Sequence, residues 1–451
     1  MDAYDEKLPS PVVAPQTPPT RAKRQRATWV LLGAVLLILH LWNWSPLLAL
    51  KRRPLPPVSN PHNRTVVLIS IDGFRADYIN KGLTPHLVEH GKRGIQAEWM
   101  RPIFPTLTFP NHWALMTGLY AESHGIIANT FWDPVTDAYF DYTNPERSWG
   151  AHWWLGEPIW ATAERAGIRS ANLMWPGPPV TSTGIRPSYF IPWRNQVPLS
   201  EKLAQINEWL ALPAGERPNL IVMYDPAVDQ AGHSNGLRAA CISDALAQIT
   251  LEAVDEFARD VPKDVDVIFV SDHGMTDTSK QRLLFLDDPE LLGGDAARIV
   301  HHDGWPSMGL RFSEEADIPG VVARLQAYAE ANPMRFKVYT ASTMPERWHF
   351  NPLNSERIAP VWIVPELGWG VGLRSGGSYP VKGNHGFDNA EPSMRAMLAA
   401  AGPSFAPRNG TVIPGFQNTE VYGLVARLLG IERWASPHNG TAGFWDTLVD
   451  A

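Results

Sequence analysis

The chain of 451 residues carries 39 Lys and Arg against 46 Asp and Glu, a formal net charge of -7, with 44% hydrophobic and 19% charged residues. That balance excludes wholesale disorder, which needs low hydrophobicity and high net charge. It also argues against a nucleic-acid-binding surface as the main function, because such surfaces cluster Lys and Arg, but an anionic substrate stays open because bound metal ions reverse a local field.

Residues 1–27 are rich in proline and small polar residues and predict a disordered, cytoplasmic tail that ends in Arg21, Lys23, Arg24 and Arg26. Residues 28–50 carry no charge, are flanked by Trp29, Trp42 and Trp44, and are closed by Lys51, Arg52 and Arg53. About 20 apolar residues with interfacial tryptophans predict one transmembrane helix. A signal peptide is the weaker reading, since Leu-Trp-Asn-Trp-Ser-Pro is a poor cleavage site. The basic residues before the span favour a cytoplasmic N-terminus. The sequons Asn63-Arg-Thr65, Asn409-Gly-Thr411 and Asn439-Gly-Thr441 all follow the span and are legible only in the lumen. The expectation is a single-pass type II membrane glycoprotein, its signal-anchor followed by a linker (51–63) and a catalytic domain (64–451) in the lumen, in a vacuole or at the cell surface.

Past the linker, Thr65–Ile71, Asn219–Tyr224 and Val265–Ser271 are unbroken apolar runs. Such runs predict strands of a parallel sheet covered on both faces. A helical pattern over Leu237–Ala258 links the last two, giving an α/β, doubly wound, mostly parallel sheet flanked by helices. The lone Cys241 opens that pattern, allows no intramolecular disulfide, and predicts a small buried hydrophobe. Residues Phe131–Trp160 are aromatic without clear periodicity and predict irregular surface near the site; Ala296–Glu356 predict a smaller inserted subdomain.

Ligands bind beyond the carboxyl ends of strands in an open α/β sheet. The three clearest strands deliver Asp72-Gly, Asp225-Pro-Ala-Val-Asp229-Gln-Ala-Gly-His233 and Asp272-His273-Gly there. One such Asp is usually a cap or turn former; three converging ends that include two histidines point to metal ligation. Asp and neutral His suit zinc. Asp229 and His233 are four residues apart, so a helical turn or a compact loop aims both at one ion. His385, between glycines, is a further candidate. In Phe104-Pro-Thr-Leu-Thr108-Phe109-Pro110-Asn-His112, Pro110 marks a helix start. Thr108 then sits at a helix N-terminus, where backbone N–H groups favour a phosphate, although from this segment alone an ordinary N-cap is the better reading.

Together with Thr117-Gly-Leu-Tyr and Glu-Ser-His124-Gly-Ile-Ile-Ala-Asn129, these motifs resemble the nucleotide pyrophosphatase/phosphodiesterase family of the alkaline phosphatase superfamily, over Thr65 to about Leu429. The resemblance implies an alkaline phosphatase-like fold and two Zn2+ ions. One would be held by Asp72, Asp272, His273 and the oxygen of Thr108, the other by Asp229, His233 and His385. It implies that Thr108 is the nucleophile and forms a phosphothreonine, that Asn129 holds a phosphoryl oxygen, and that Phe109 and Trp193 face a nucleotide base. The implied activity is hydrolysis of nucleotide phosphodiester or pyrophosphate bonds, such as a nucleoside triphosphate to monophosphate plus diphosphate. A lipid or choline-type phosphodiesterase with the same metal centre, or a catalytically silent membrane-tethered binding protein, are the competing readings. Animal members commonly carry Glu-Pro-Asp where this chain has Ala227-Val228-Asp229, which puts only the local shape in doubt. The short layout resembles fungal members.

Overall fold

The computed structural model describes residues 64–235, 265–374 and 382–450. The tail, span and linker expected over 1–63, the sequon at Asn63, Cys241 and the helix expected over 237–258 lie outside them. No helix among the described residues is long and apolar enough to cross a membrane.

The main sheet contains eight strands: β1 (Thr65–Ile71), β2 (Gly94–Ala97), β3 (Ser170–Leu173), β4 (Tyr189–Ile191), β5 (Leu220–Asp225), β6 (Val265–Val270), β7 (Leu398–Ala401) and β8 (Thr411–Ile413). Their order is β8-β2-β7-β6-β1-β5-β3-β4. All neighbours are parallel except β7, which runs antiparallel to both β2 and β6. The mostly parallel expectation therefore holds at the centre, where β1 pairs with β5 and β6.

Both faces are covered. Val66 and Leu68 of β1 enter one core cluster and Val67, Ile69 and Ile71 enter another. This alternation follows from the two-residue period of a strand, and burial on both sides is why the run is apolar except for the buried hydroxyls of Thr65 and Ser70. The first face packs against helix α1 (Thr108–Thr117) and the helices Ile159–Arg165 and Glu420–Leu428. The second packs against Leu87 and helix α2 (Leu199–Leu210), which contributes Leu199, Ile206 and Trp209.

Residues Phe131–Trp160 differ from the irregular surface expected of them. A hairpin pairs Thr130–Asp133 with Ala138–Asp141, and Trp153, Trp154 and Trp160 lie in the first core cluster. Large rings fill that layer without needing a helical or strand period, so the pattern was invisible. The region expected to hold an inserted subdomain forms a four-stranded antiparallel sheet of Ile299–Asp303, Met308–Phe312, Val361–Pro365 and Phe336–Thr340, the strand Val361–Pro365 lying beyond the expected end at Glu356. Helix Ile318–Ala331 covers it through Val321 and Leu325.

Candidate active site

The register of the central strands builds the rim. Ile71 pairs with Asp225, and Ser70 with Val270, so β1, β5 and β6 end together. Asp72 donates its backbone N–H to the Asp225 carbonyl at 2.9 Å, and Asp272 and His273 follow β6 on the same edge. After β5, helix α3 (Ala227–Asn235) carries Asp229 and His233 one turn apart. Gly73 fits against it only because it lacks a side chain: a Cβ there would lie 2.9 Å from Asp229 Cα, and its φ is +69°.

Thr108 is the first residue of α1, with Leu107 extended before it. The loop that delivers it is pinned by buried Asn111, whose Oδ1 accepts from the Ile103 N–H (2.7 Å) and Asn418 Nδ2 (3.0 Å). Its Nδ2 donates to the carbonyls of Pro105 (3.1 Å) and Leu107 (2.9 Å). Thr106 ties the same loop to the late segment: its hydroxyl donates to the Phe387 carbonyl and accepts from the Gly386 N–H.

Six of the predicted residues converge as two groups, Asp72/Asp272/His273 and Asp229/His233/His385; within each group the ligand atoms lie within 4.8 Å of one another. Thr108 Oγ1 is 3.2 Å from His273 Nε2. Every histidine of these groups turns Nδ1 to a backbone carbonyl: His233 to Gly383 (2.9 Å), His273 to Gly274 (2.8 Å) and His385 to Thr106 (2.9 Å). A carbonyl only accepts, so Nδ1 bears a proton in each ring, and Nε2, which faces inward, is the atom that carries the lone pair when the ring is neutral, as in metal-ligating histidines. His233 Nε2 and His385 Nε2 are then 3.2 Å apart, lone pair toward lone pair, each 3.4 Å from Asp229 Oδ1. Asp72 Oδ1, Asp229 Oδ1 and Asp272 Oδ2 are buried without a hydrogen-bond partner. Orphaned acceptors at this density are costly unless a cation lies among them, so both donor sets fit divalent metal ions.

The protein groups alone are electrostatically frustrated. Burial, then the like charges of Asp272 and Asp229, hold the Asp72 carboxyl well above the usual range; the Tyr224 phenol, donating to its Oδ2 at 2.6 Å, pulls the other way. Burial also raises Asp229. Burial pushes Asp272 up too, but His273 and His112 outweigh it and hold that carboxyl low. His385 is pushed well below its ordinary value by burial, then by His273 and His233.

A cavity of about 610 Å³ opens beside these groups. Its lining includes Thr108, Phe109, Asn129, Tyr142, Trp149, Trp175, Trp193 and Tyr224. Asn129 Oδ1 accepts from the Phe109 N–H at 2.9 Å. Trp193 is 43% exposed and lies 5.7 Å from the Tyr224 ring. The cavity is thus lined by every predicted site residue except Asp272 and His273, which lie within ligand distance of Asp72 on its edge. Sequence reasoning missed Tyr224 as the partner of Asp72, and it missed His112. The latter is buried on α1, donates from Nδ1 to the Thr108 carbonyl (2.9 Å) and approaches Asp272 Oδ2 at 3.3 Å, with Ser70 on its Nε2. The four-residue spacing from Thr108 to His112 was the available signal.

A family model described as type I phosphodiesterase/nucleotide pyrophosphatase matches residues 66–388. An uncharacterised pyrophosphatase/phosphodiesterase of Schizosaccharomyces pombe is 40% identical over 395 residues, covering 85% of this chain and 80% of that protein. Human ectonucleotide pyrophosphatase/phosphodiesterase family member 1 is 34% identical over 399 residues, covering 85% of this chain and 41% of that protein. The chain therefore spans most of the yeast relative and less than half of the human one. Among solved structures, murine ectonucleotide pyrophosphatase/phosphodiesterase 5 superposes with a TM-score of 0.74 at 33% identity, covering 86% of this chain and all of that one. An inactive variant of that murine protein, with one threonine changed to alanine and in complex with AMP, gives 0.75 at 32% identity with the same coverage. These matches agree with the mostly parallel sheet described above, and the chain belongs to the type I phosphodiesterase/nucleotide pyrophosphatase family of enzymes.

Proposed function

We propose that the chain hydrolyses nucleotide phosphodiester and pyrophosphate bonds through a phosphothreonine on Thr108, with two zinc ions. The observation that carries this reading is the position of Thr108 Oγ1, 3.2 Å from His273 Nε2 at a helix N-terminus, beside three carboxylates that each keep one buried oxygen without a hydrogen-bond partner. Asp72, Asp272 and His273 would hold one ion, Asp229, His233 and His385 the other. Bound there, the ions supply positive charge that lowers the pKa of the threonine hydroxyl and offsets charge on the phosphoryl group.

The chain's own residues do the positioning. Thr108 Oγ forms the new bond to phosphorus as the bond to the leaving oxygen breaks on the far side. Water then attacks the phosphothreonine, restoring the hydroxyl and releasing the nucleoside monophosphate. Asn129 commits its amide oxygen to the Phe109 N–H, which leaves its NH2 for a phosphoryl oxygen. The N-terminus of α1 favours the same negative charge. Phe109 and Trp193 offer aromatic faces to the base. The complex of AMP with the murine relative supports a nucleotide as the ligand of this cavity.

The test is a substrate panel on the full-length protein in detergent with zinc: ATP, dinucleotides, p-nitrophenyl thymidine monophosphate and glycerophosphocholine. Activity confined to the choline ester overturns the nucleotide reading. Thr108→Ala should lower turnover by about 10³-fold or more with zinc content nearly intact; wild-type turnover in that variant overturns the mechanism. The basic-residue asymmetry and the sequons support a type II orientation, with the catalytic part outside the cytosol. Asn409 and Asn439 are both exposed, and an endoglycosidase-sensitive mass shift on the mature protein would test that orientation.

A further inference from the structure

Behind the substrate cavity lies a charged side chain that the chemistry above does not use. Lys202, in the first turns of α2, is 2% exposed. Its ammonium donates to Asp225 Oδ2 at 2.9 Å and to the Tyr224 carbonyl at 3.1 Å, and stands 5.5 Å from the centroid of the Trp193 ring. Trp193 lines two neighbouring cavities: the one that contains Thr108, and one of about 320 Å³ that contains Lys202, Asp225 and Gln230. The ring borders both, as do Pro226 and Gln230.

A cation near the N-terminal end of a helix and out of water is unfavourable on both counts. Asp225 offsets this, but an apolar pair would join α2 to the end of β5 with less desolvation. Anchoring therefore does not explain why the charge sits against the ring. An aromatic face attracts a cation through its negative quadrupole. Where an ammonium already uses one face of Trp193, a second cation on the other face meets like charge across the ring, whereas a neutral planar base stacks freely. Lys202 also grips the Tyr224 backbone while the Tyr224 hydroxyl holds Asp72, so the aromatic platform and a candidate metal ligand are held by one chain of contacts.

We infer that Lys202 is a specificity-determining residue, positioned behind Trp193 so that the cavity accepts an uncharged nucleotide base and disfavours a quaternary-ammonium head group. The inference rests on the nucleotide reading of the site. The test uses the full-length protein in detergent with zinc and three p-nitrophenyl phosphodiesters: the thymidine ester, a methyl ester without a base, and the choline ester. Lys202→Met is paired with Asp225→Asn so that no buried charge is left alone. In the paired variant, kcat/KM for the thymidine ester should fall about fivefold relative to the methyl ester, chiefly through KM, and the choline ester should gain on the thymidine ester by a similar factor. Lys202→Arg keeps a cation under the ring and should keep both wild-type ratios. Equal losses on all three esters, or the same shift in Lys202→Arg, overturn the inference. A wild-type enzyme that does not prefer the thymidine ester to the methyl ester overturns the nucleotide reading itself, which is a separate result.

Discussion

Removing one oxygen atom, by Tyr224→Phe, tests whether Asp72 belongs to a metal centre. The Tyr224 hydroxyl donates to Asp72 Oδ2 at 2.6 Å, and the carboxylate is 1% exposed with its other oxygen, Oδ1, already without a partner. A hydrogen bond to a buried charged group contributes about 1.5–3 kcal/mol, and losing the outer partner of a metal ligand typically costs about 10- to 100-fold in metal affinity. The direction follows from proton competition. Tyr224 is the hydrogen-bond donor that lowers the Asp72 pKa against burial and two like charges. Without it the carboxyl holds a proton more tightly, and metal binding weakens most at the acidic end of the working range. Phenylalanine keeps the ring beside Trp193, so KM for a nucleotide ester at saturating zinc should change little. The assay is zinc affinity by chelator competition at pH 6 and pH 8, with kcat/KM alongside. Zinc affinity within twofold of wild type at both pH values would refute the reasoning, because Asp72 would then not be a ligand whose basicity the phenol controls.

Gly73→Ala should displace Asp229, since its Cβ would lie 2.9 Å from that residue's Cα and its positive φ costs a side-chain-bearing residue about 1–3 kcal/mol. Metal stoichiometry by elemental analysis should drop toward one ion per chain, and two tightly held ions would contradict the assignment of Asp229. Asn111→Ala leaves the Ile103 N–H and the Pro105 and Leu107 carbonyls without their side-chain partner. The expected loss is about 3 kcal/mol or more in denaturant unfolding together with lower kcat; unchanged kcat would show that the loop holds Thr108 unaided. Acid should destabilise the fold independently of metal. Burial lowers His90 to about 4 and His124 to about 3 from an ordinary 6.5. Between those values and 6.5 the unfolded chain binds more protons, so the stability is complete above pH 6.5 and is lost as pH falls. The loss is on the order of 3 kcal/mol from each by pH 4. Unfolding in chelator at pH 7 and 4.5 measures it, His90→Gln should flatten the dependence, and a pH-independent midpoint would sink the claim.

What was legible in the sequence and what was not divide along one physical line. β1, β5 and β6 could be read because burial on both faces leaves an unbroken apolar run. Their acidic and histidine residues could be read as one site because parallel strands in register end on one rim. Contacts that close the site depend instead on distant residues. Tyr224 and Asp72 are 152 positions apart, and His385 and Thr106 are 279 apart; neither pairing leaves a local pattern. Lys202 sits in a helical segment where a lysine ordinarily faces water, and only the packing of α2 on the end of β5 turns it inward. Trp153, Trp154 and Trp160 looked like irregular surface because a core filled by large rings needs no period. Inside the site, the ligand types were visible but the protonation logic was not. Three carbonyls, from Gly274, Gly383 and Thr106, fix the tautomers of three histidines, and those tautomers turn a cluster of acids and imidazoles into two sets of inward lone pairs. The demand for cations is thus written in backbone acceptors, which any residue supplies and no motif records.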